Sequence, residues 1–460
     1  MQRTAVINIV GLSRRLIGKN TPHLRGFVEA NACCQVEPAF PAVTCTAQAS
    51  YLTGRLPCEH GIVANGWYDR KLAEHQFWKQ SNHLVEGAKL WEVLRDEDPE
   101  FTCAKLFWWY NMYSSADYSI TPRPIYPADG RKVFDIYTAP MNMREELKSD
   151  LGDFPFPAFW GPAAGIASSR WIADSAIWVE KKHRPSLSLV YLPHLDYSFQ
   201  KIGPEAPEAA IELRRIDRIF GELLAFYRER DVRVVLLSEY GITPVHRPVH
   251  LNRLFRERGW ITIKEELGRE MIDLGASRAF AIADHQVAHV YVNDIGLTAE
   301  VQSLMESTEG VEEVLAGARL EEAGINHSRS GDLVAVADAE SWFTYYYWLD
   351  DRVAPDYARC VDIHRKPGYD PAELFIDPAI RFPRLKIARR LAGKKLGMRI
   401  LMDLIPLDAD LVRGSHGREP EDKMDWPILA GDFKNLPENG ELPATEVFEQ
   451  LLELCSRRPS

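Results

Sequence analysis

Three short runs of apolar, largely β-branched residues punctuate the chain: Ala5 to Val10 (AVINIV), Leu187 to Leu192 (LSLVYL) and Val232 to Leu237 (VRVVLL). Runs of this length are too continuous for half-exposed strands and predict strands buried on both faces. Between the second and third lies Ala209 to Arg228, where Ile211, Leu213, Ile216, Ile219, Phe220, Leu223 and Leu224 recur at helical spacing. Strand, helix, strand in that order predicts an α/β fold, a mostly parallel sheet with helices on its faces. In such sheets ligands gather beyond the carboxyl ends of the strands. Asp196 follows the second run in Pro193-His194-Leu195-Asp196, and Glu239 follows the third in Ser238-Glu239-Tyr240-Gly241.

Elsewhere the period is lost. Residues 97–180 hold FWWYNMYSSADYSITPRPIYPADGRKVFDIY from Phe107, crowded with aromatics, prolines and turn formers, which predicts an inserted cap whose aromatics form a small core of their own or line a pocket. Trp171 to Lys181 reads as a helix returning to the sheet. Strand-like Ala288 to Val292, a helix at Thr298 to Ser307 and strands at Gly310 to Leu315 and Asp332 to Val336 suggest a small α/β insertion over residues 294–341. His285 and His289 have the four-residue gap of a helical metal pair, but DHQVAHVYV reads as strand, so both are taken as structural.

The 460 residues, 46% hydrophobic and 26% charged, fit one elaborated domain with a large core. A net charge of -11, with basic clusters no longer than Arg389-Arg390 and Lys394-Lys395, argues against a nucleic-acid groove or an anionic membrane surface as the main partner. Seven cysteines without a C-x-x-C pair read as reduced thiols of a cytoplasmic protein. Ala5 to Leu12 is too short to span a bilayer and lacks a signal-peptide arrangement, so no membrane anchor is expected.

The chemistry centres on Phe40 to Asp69, FPAVTCTAQASYLTGRLPCEHGIVANGWYD. Thr44 opens a helix-compatible run that stops at Gly54, so its hydroxyl sits where backbone N–H groups and the helix dipole favour a phosphate. Such a threonine either caps its helix or serves as a nucleophile. The pattern F-P-x-x-T, T-G-x-x-P-x-x-H-G-I-x-x-N resembles the type I phosphodiesterase/nucleotide pyrophosphatase branch of the alkaline phosphatase superfamily. The resemblance implies an alkaline-phosphatase-like α/β domain, a catalytic Thr44 and a structural His60.

It also implies a shell of three aspartates and three histidines around two metal ions, and here that shell is altered. The family's first aspartate matches Val10, a histidine after Asp196 matches Gln200, and an Asp-His pair matches Glu239-Tyr240, while Asp196 and His416 are kept. Fewer anionic ligands make two mutually repelling ions harder to hold. The expectation is one divalent ion (Zn, Mn or Mg) on Asp196, Gln200, Glu239 and His416, with Glu239 as ligand or base and Tyr240 as a donor to the transferring group. Gln48, one turn after Thr44, is a candidate oxyanion contact. Arg365 or Lys366 could meet substrate charge, or their loop could pack at the sheet edge. The function implied is metal-dependent hydrolysis of a small phosphorylated substrate. The alternatives are a degenerate site that only binds such a molecule and an enzyme of non-phosphoryl chemistry. The oligomeric state is not legible.

Overall fold

The computed structural model describes residues 2–456. A nine-stranded mixed sheet runs in the order 441–443, 32–37, 428–431, 233–237, 4–9, 187–192, 103–106, 118–122, 136–139. The three apolar runs form its centre, with Thr4–Ile9 parallel to both Leu187–Leu192 and Arg233–Leu237. All six residues of the first two strands are buried, as continuous apolar runs require. The amphipathic helix Ala209–Arg228 lays Leu213, Ile216, Ile219, Phe220 and Leu223 against this sheet, and burial of each such side chain contributes about 1.5–3 kcal/mol.

The in-register ends of the central strands decide where the chemistry stands. Asn8 pairs with Tyr191 and Leu237, so the chain leaves the three strands side by side. Leu187–Leu192 passes at once into the helix His194–Ile202, which carries Asp196 in its first turn and Gln200 one turn later. Gly241 lets the loop after Glu239-Tyr240 pass close to a neighbouring backbone, since a β-carbon there would stand 1.8 Å from the Asp425 carbonyl oxygen. His416 follows the short strand Gly414–Ser415, paired antiparallel with Thr243–Pro244.

The region expected to be a separate cap is built differently. Its strands Cys103–Leu106, Tyr118–Pro122 and Ile136–Ala139 extend the main sheet at one edge. Phe107 packs against Phe154, Phe159 and Trp171 in the main hydrophobic core, while Trp109 and Tyr110 join Cys45, Ala49 and Ile62 around the Thr44 helix. Strands of four or five residues are too short to show a period, which is why the sequence hid them. The later insertion is a four-stranded antiparallel sheet of Ala279–Asp284, Val287–Val292, Leu333–Ala337 and Val311–Ala316. It therefore begins at the Ala279 hairpin, before residue 294. The tip of that hairpin is His285-Gln286, with His285 at φ 61°.

Candidate active site

Thr44 is the first residue of the helix Thr44–Thr53, all of it buried, which ends at left-handed Gly54 (φ 67°). The cap position belongs to Val43, and no side chain caps the helix. The capping role is thus overturned, because the Thr44 hydroxyl turns to Tyr240 instead, 2.8 Å from its OH. Tyr240 donates its one proton to Asp196 Oδ1 at 3.2 Å, so Thr44 donates to Tyr240. Gln200 Nε2 also donates to Asp196 Oδ1 (2.9 Å), and its Oε1 accepts from Tyr369 OH (2.7 Å). The His416 ring lies flat on Tyr240, centroids 3.7 Å apart, with Nε2 3.4 Å from Asp196 Oδ1. Hydroxyl, tyrosine, carboxylate and imidazole from four distant parts of the chain therefore form one connected cluster.

Glu239 stands on the other side of Thr44. Asn8 Nδ2 and Gln48 Nε2 both donate to its Oε1 at 2.6 Å, and its buried Oε2 has no hydrogen-bond partner. Burial pushes the carboxyl up to about 8, against the opposing polarity of Gln48, Asn8 and Thr44. Gln48 is fixed in turn by the Trp109 backbone N–H, which donates to its Oε1 at 2.7 Å. Gln48 therefore grips a carboxylate in this structure. Val10 is fully buried in the main hydrophobic core.

The structure adds a residue that the sequence assigned elsewhere. His285 does not share the role of His289: its ring stacks on Tyr369 (3.7 Å) and meets His416 (3.8 Å). His285 Nδ1 donates to Asp284 Oδ1 at 2.7 Å, and its buried Nε2 has no partner. Burial first, then the neighbouring His416 imidazole, lowers its pKa to about 4, so the ring is neutral. Asp284 is held by the Asn65 backbone N–H and Nδ2, and Asn65 Oδ1 accepts from Cys45 N–H in the first turn of the Thr44 helix. The end of the His-Gly-Ile-x-x-Asn pattern is thus a brace between the hairpin tip and that helix. His289 is structural, donating from Nε2 to Val63 O (3.1 Å) and accepting from Gly331 N–H (3.1 Å). The only signal for His285 was its position in a turn between two strand-like runs.

Other polar candidates are committed to packing. His60 links Ser50 Oγ and Ile62 N–H inside the core, and His194 bonds Glu212. Arg365 pairs with exposed Asp356, and buried Lys366 is clamped at 2.6 Å by both Asp370 and Glu373, so neither cation faces the cluster.

Whether the cluster suits a metal depends on its free donors. His416 Nδ1 donates to the Ala42 carbonyl (2.7 Å), which turns Nε2 toward Asp196, and that Nε2 is buried without a hydrogen-bond partner. An imidazole lone pair facing a carboxylate oxygen calls for a proton or a cation between them. His285 Nε2 is a second buried, unpartnered imidazole donor oriented by a carboxylate, the arrangement that prepares a histidine for metal binding. These two nitrogens are the imidazole donors that the cluster leaves free on the His416 side. Among the described residues no three His, Cys, Asp or Glu side chains are placed so that they could hold a metal ion together. Val10, which stands where the family resemblance expects an aspartate ligand, has no donor, and buried Tyr240 beside Thr44 has a pKa pushed well above the usual range, so a second ion does not fit.

Comparison with known proteins agrees with this architecture. Murine ectonucleotide pyrophosphatase/phosphodiesterase 5 superposes with a TM-score of 0.59 at 14% identity, over 99% of this chain and 96% of that one. A phosphonoacetate hydrolase from Sinorhizobium meliloti 1021, in complex with phosphonoformate, superposes with a TM-score of 0.62 at 15% identity, over 99% and 96%. These likenesses show the fold. An uncharacterized pyrophosphatase/phosphodiesterase of Schizosaccharomyces pombe is 26% identical over 247 residues, 51% of this chain and 44% of that protein. Ectonucleotide pyrophosphatase/phosphodiesterase 2 of Saccharomyces cerevisiae is 23% identical over 267 residues, 53% of this chain and 48% of that protein. The chain thus spans under half the length of these two relatives. The family described as type I phosphodiesterase/nucleotide pyrophosphatase matches residues 4–370, and the chain belongs to that family.

Proposed function

We propose that the protein hydrolyses a phosphodiester or nucleotide-pyrophosphate-type bond of a small molecule, with Thr44 as nucleophile. The observation that carries this reading is the Thr44 hydroxyl, which is released from capping at a helix N-terminus, bonded to Tyr240 and within hydrogen-bond reach of Glu239. Thr44 Oγ attacks phosphorus as the bond to the leaving oxygen breaks, and water then cleaves the phosphothreonine. Glu239 takes the Thr44 proton after the hydroxyl turns from Tyr240 to the carboxyl it also reaches, since a carboxyl near 8 with a free oxygen suits a base at mildly alkaline pH. Tyr240 orients the hydroxyl and donates to Asp196. Asp196, His416 and His285 are the residues that would hold one divalent ion once their side chains draw together around it, zinc or manganese being favoured by the imidazoles. Such an ion supplies charge neutralisation to the phosphoryl oxygens when bound. Gln200, with both ends of its amide in hydrogen bonds, positions Asp196 and Tyr369, and is dropped from the expected ligand set along with Glu239.

Neighbouring folds solved with AMP and with phosphonoformate support a small phosphorylated substrate. All seven cysteines are free, which supports a cytoplasmic location, and no described helix is long and apolar enough to cross a membrane. A binding-only reading draws on Val10, which removes a carboxylate from the Thr44 side. The discriminating experiment is turnover of bis(4-nitrophenyl) phosphate by wild type and Thr44→Ala, run with metal analysis of both. Thr44-dependent turnover with about one ion per chain supports hydrolysis; ligand binding without turnover across several divalent ions selects the binding reading.

A further inference from the structure

The opposite character of one surface segment leads beyond the active site. From Arg381 to Arg399 the sequence FPRLKIARRLAGKKLGM and its two flanking arginines hold eight Lys or Arg and no Asp or Glu, in a chain whose net charge is -11. This stretch contains the helix Pro383–Lys395, and the only buried residue of that helix is Gly393. Leu385, Ala388 and Ala392 follow one another at helical spacing along its exposed side, and Leu396 continues the stripe just past its end. The large apolar side chains there stand in solvent: Phe382 is 62% exposed, Leu385 69% and Leu396 79%, with Leu391, Met398 and Leu401 about half exposed.

Cations frame the stripe. Arg384 and Lys395 lie on one side and Arg389 on the other, while Lys386 and Arg390 turn inward to Asp403 at 3.0 and 2.9 Å. The segment after the helix folds back on it, because a β-carbon at Gly393 would stand 2.2 Å from Ile400 Cδ1. Arg399 then lies against Gly130 in the hairpin bridged by Ile125 and Val133. That hairpin exposes Tyr126 and Phe134, with Lys132 Nζ 6.0 and 5.8 Å from their ring centres. The two segments thus make one patch of exposed rings and leucines set among cations.

We propose that this patch docks the protein on the surface of an anionic phospholipid bilayer. An exposed leucine stripe among lysines and arginines is the pattern of a helix that lies in the lipid interface, its apolar side in the acyl boundary and its cations on the headgroups. Charge complementarity selects the lipid: the rest of the chain is acidic, so an anionic surface attracts this face and repels the others. The net charge of the whole chain concealed the patch, because it averages over this segment. The loop Asp362–Tyr369, which brings Tyr369 to the active site, lies beside the hairpin, with Asp362 acting on Tyr126. Docking therefore sets that side of the active site toward the membrane.

The test is vesicle flotation of the full chain with phosphatidylcholine vesicles and with phosphatidylcholine–phosphatidylserine vesicles. Binding is expected only with phosphatidylserine, falling steeply with added salt. The double variant Arg389→Glu/Lys395→Glu is expected to lose about fivefold in partition per cation removed. Leu385→Asp/Leu396→Asp is expected to abolish binding even at low salt. All these side chains are exposed or at the helix edge, and an unchanged circular dichroism melt confirms the fold of each variant. No binding to phosphatidylserine vesicles, binding unaffected by both double variants, or binding to soluble polyglutamate but not to vesicles would overturn the proposal. Turnover is not part of the readout, so the result stands apart from the catalytic reading.

Discussion

The two flanks of Thr44 differ in kind. On one side Glu239 is gripped by the amides of Asn8 and Gln48, and its carboxyl is driven up to about 8. On the other, Asp196 is met by Tyr240, Gln200 and His416, with a second imidazole at His285. Burial holds a raised carboxyl between two amides on one flank, and the other leaves two imidazole Nε2 atoms without partners beside a carboxylate. On the proposed reading, the two flanks divide the work between a base and a single ion because the polar groups around Thr44 differ on its two sides.

That division can be broken at its centre first. Thr44→Ala is expected to lower phosphodiester turnover by at least roughly a thousandfold while leaving metal binding, followed by cobalt absorbance, unchanged. Loss of metal binding in that variant would mean that the two flanks are not independent. On the imidazole flank, Asp284→Asn is expected to weaken metal affinity about 10- to 100-fold by freeing the His285 ring, and His285→Ala to weaken it at least as much. An unchanged cobalt titration in both variants, with His416→Ala still weakened, would remove His285 from the ion site.

The carboxyl flank answers to pH. The folded-state pKa of Glu239 is raised from 4.5 to about 8, so the folded protein keeps a proton that the unfolded chain gives up above pH 4.5. The stability this group contributes is therefore fully present below pH 4.5 and is lost as pH rises toward 8, with a slope of up to about 1.4 kcal/mol per pH unit. Urea titrations from pH 5 to 8 are expected to show that slope in wild type and a flatter one in Glu239→Gln. Turnover is expected to rise through pH 8 as the base ionises, and a pH-independent rate would contradict the assignment. The smallest effect is expected at Gln48→Ala, which removes one of two donors to Oε1. The turnover profile should shift to higher pH with only a few-fold change in the limiting rate, because loss of a hydrogen bond to the charged form raises the carboxyl further.

The sequence went far where the signal was local or long. The continuous apolar runs announced the central strands, helical spacing announced Ala209–Arg228, and chain order placed Asp196 and Glu239 at the strand ends. The ungapped pattern from Phe40 to Asn65 pointed to the family. It misled where geometry ruled. His285 and His289, four residues apart, share a hairpin but not a fate, because the turn at φ 61° swings His285 into the cluster while His289 remains in the strand. The aromatic stretch after Phe107 gave no period, yet its short strands complete the main sheet.

By itself, then, the order of residues determined the α/β framework, the position of Thr44 at a helix start and the carboxylates that face it, since each depends on neighbours within a few turns or on strand length. Only the tertiary structure decided that the Thr44 hydroxyl leaves its helix for Tyr240, that Gln48 holds Glu239, and that Asp284 aims His285 at His416. Those contacts join residues between 130 and nearly 200 positions apart or turn on the bend of one hairpin. A hydrogen bond is satisfied by whichever partner the packed chain brings within about 3 Å, and no local pattern records that choice.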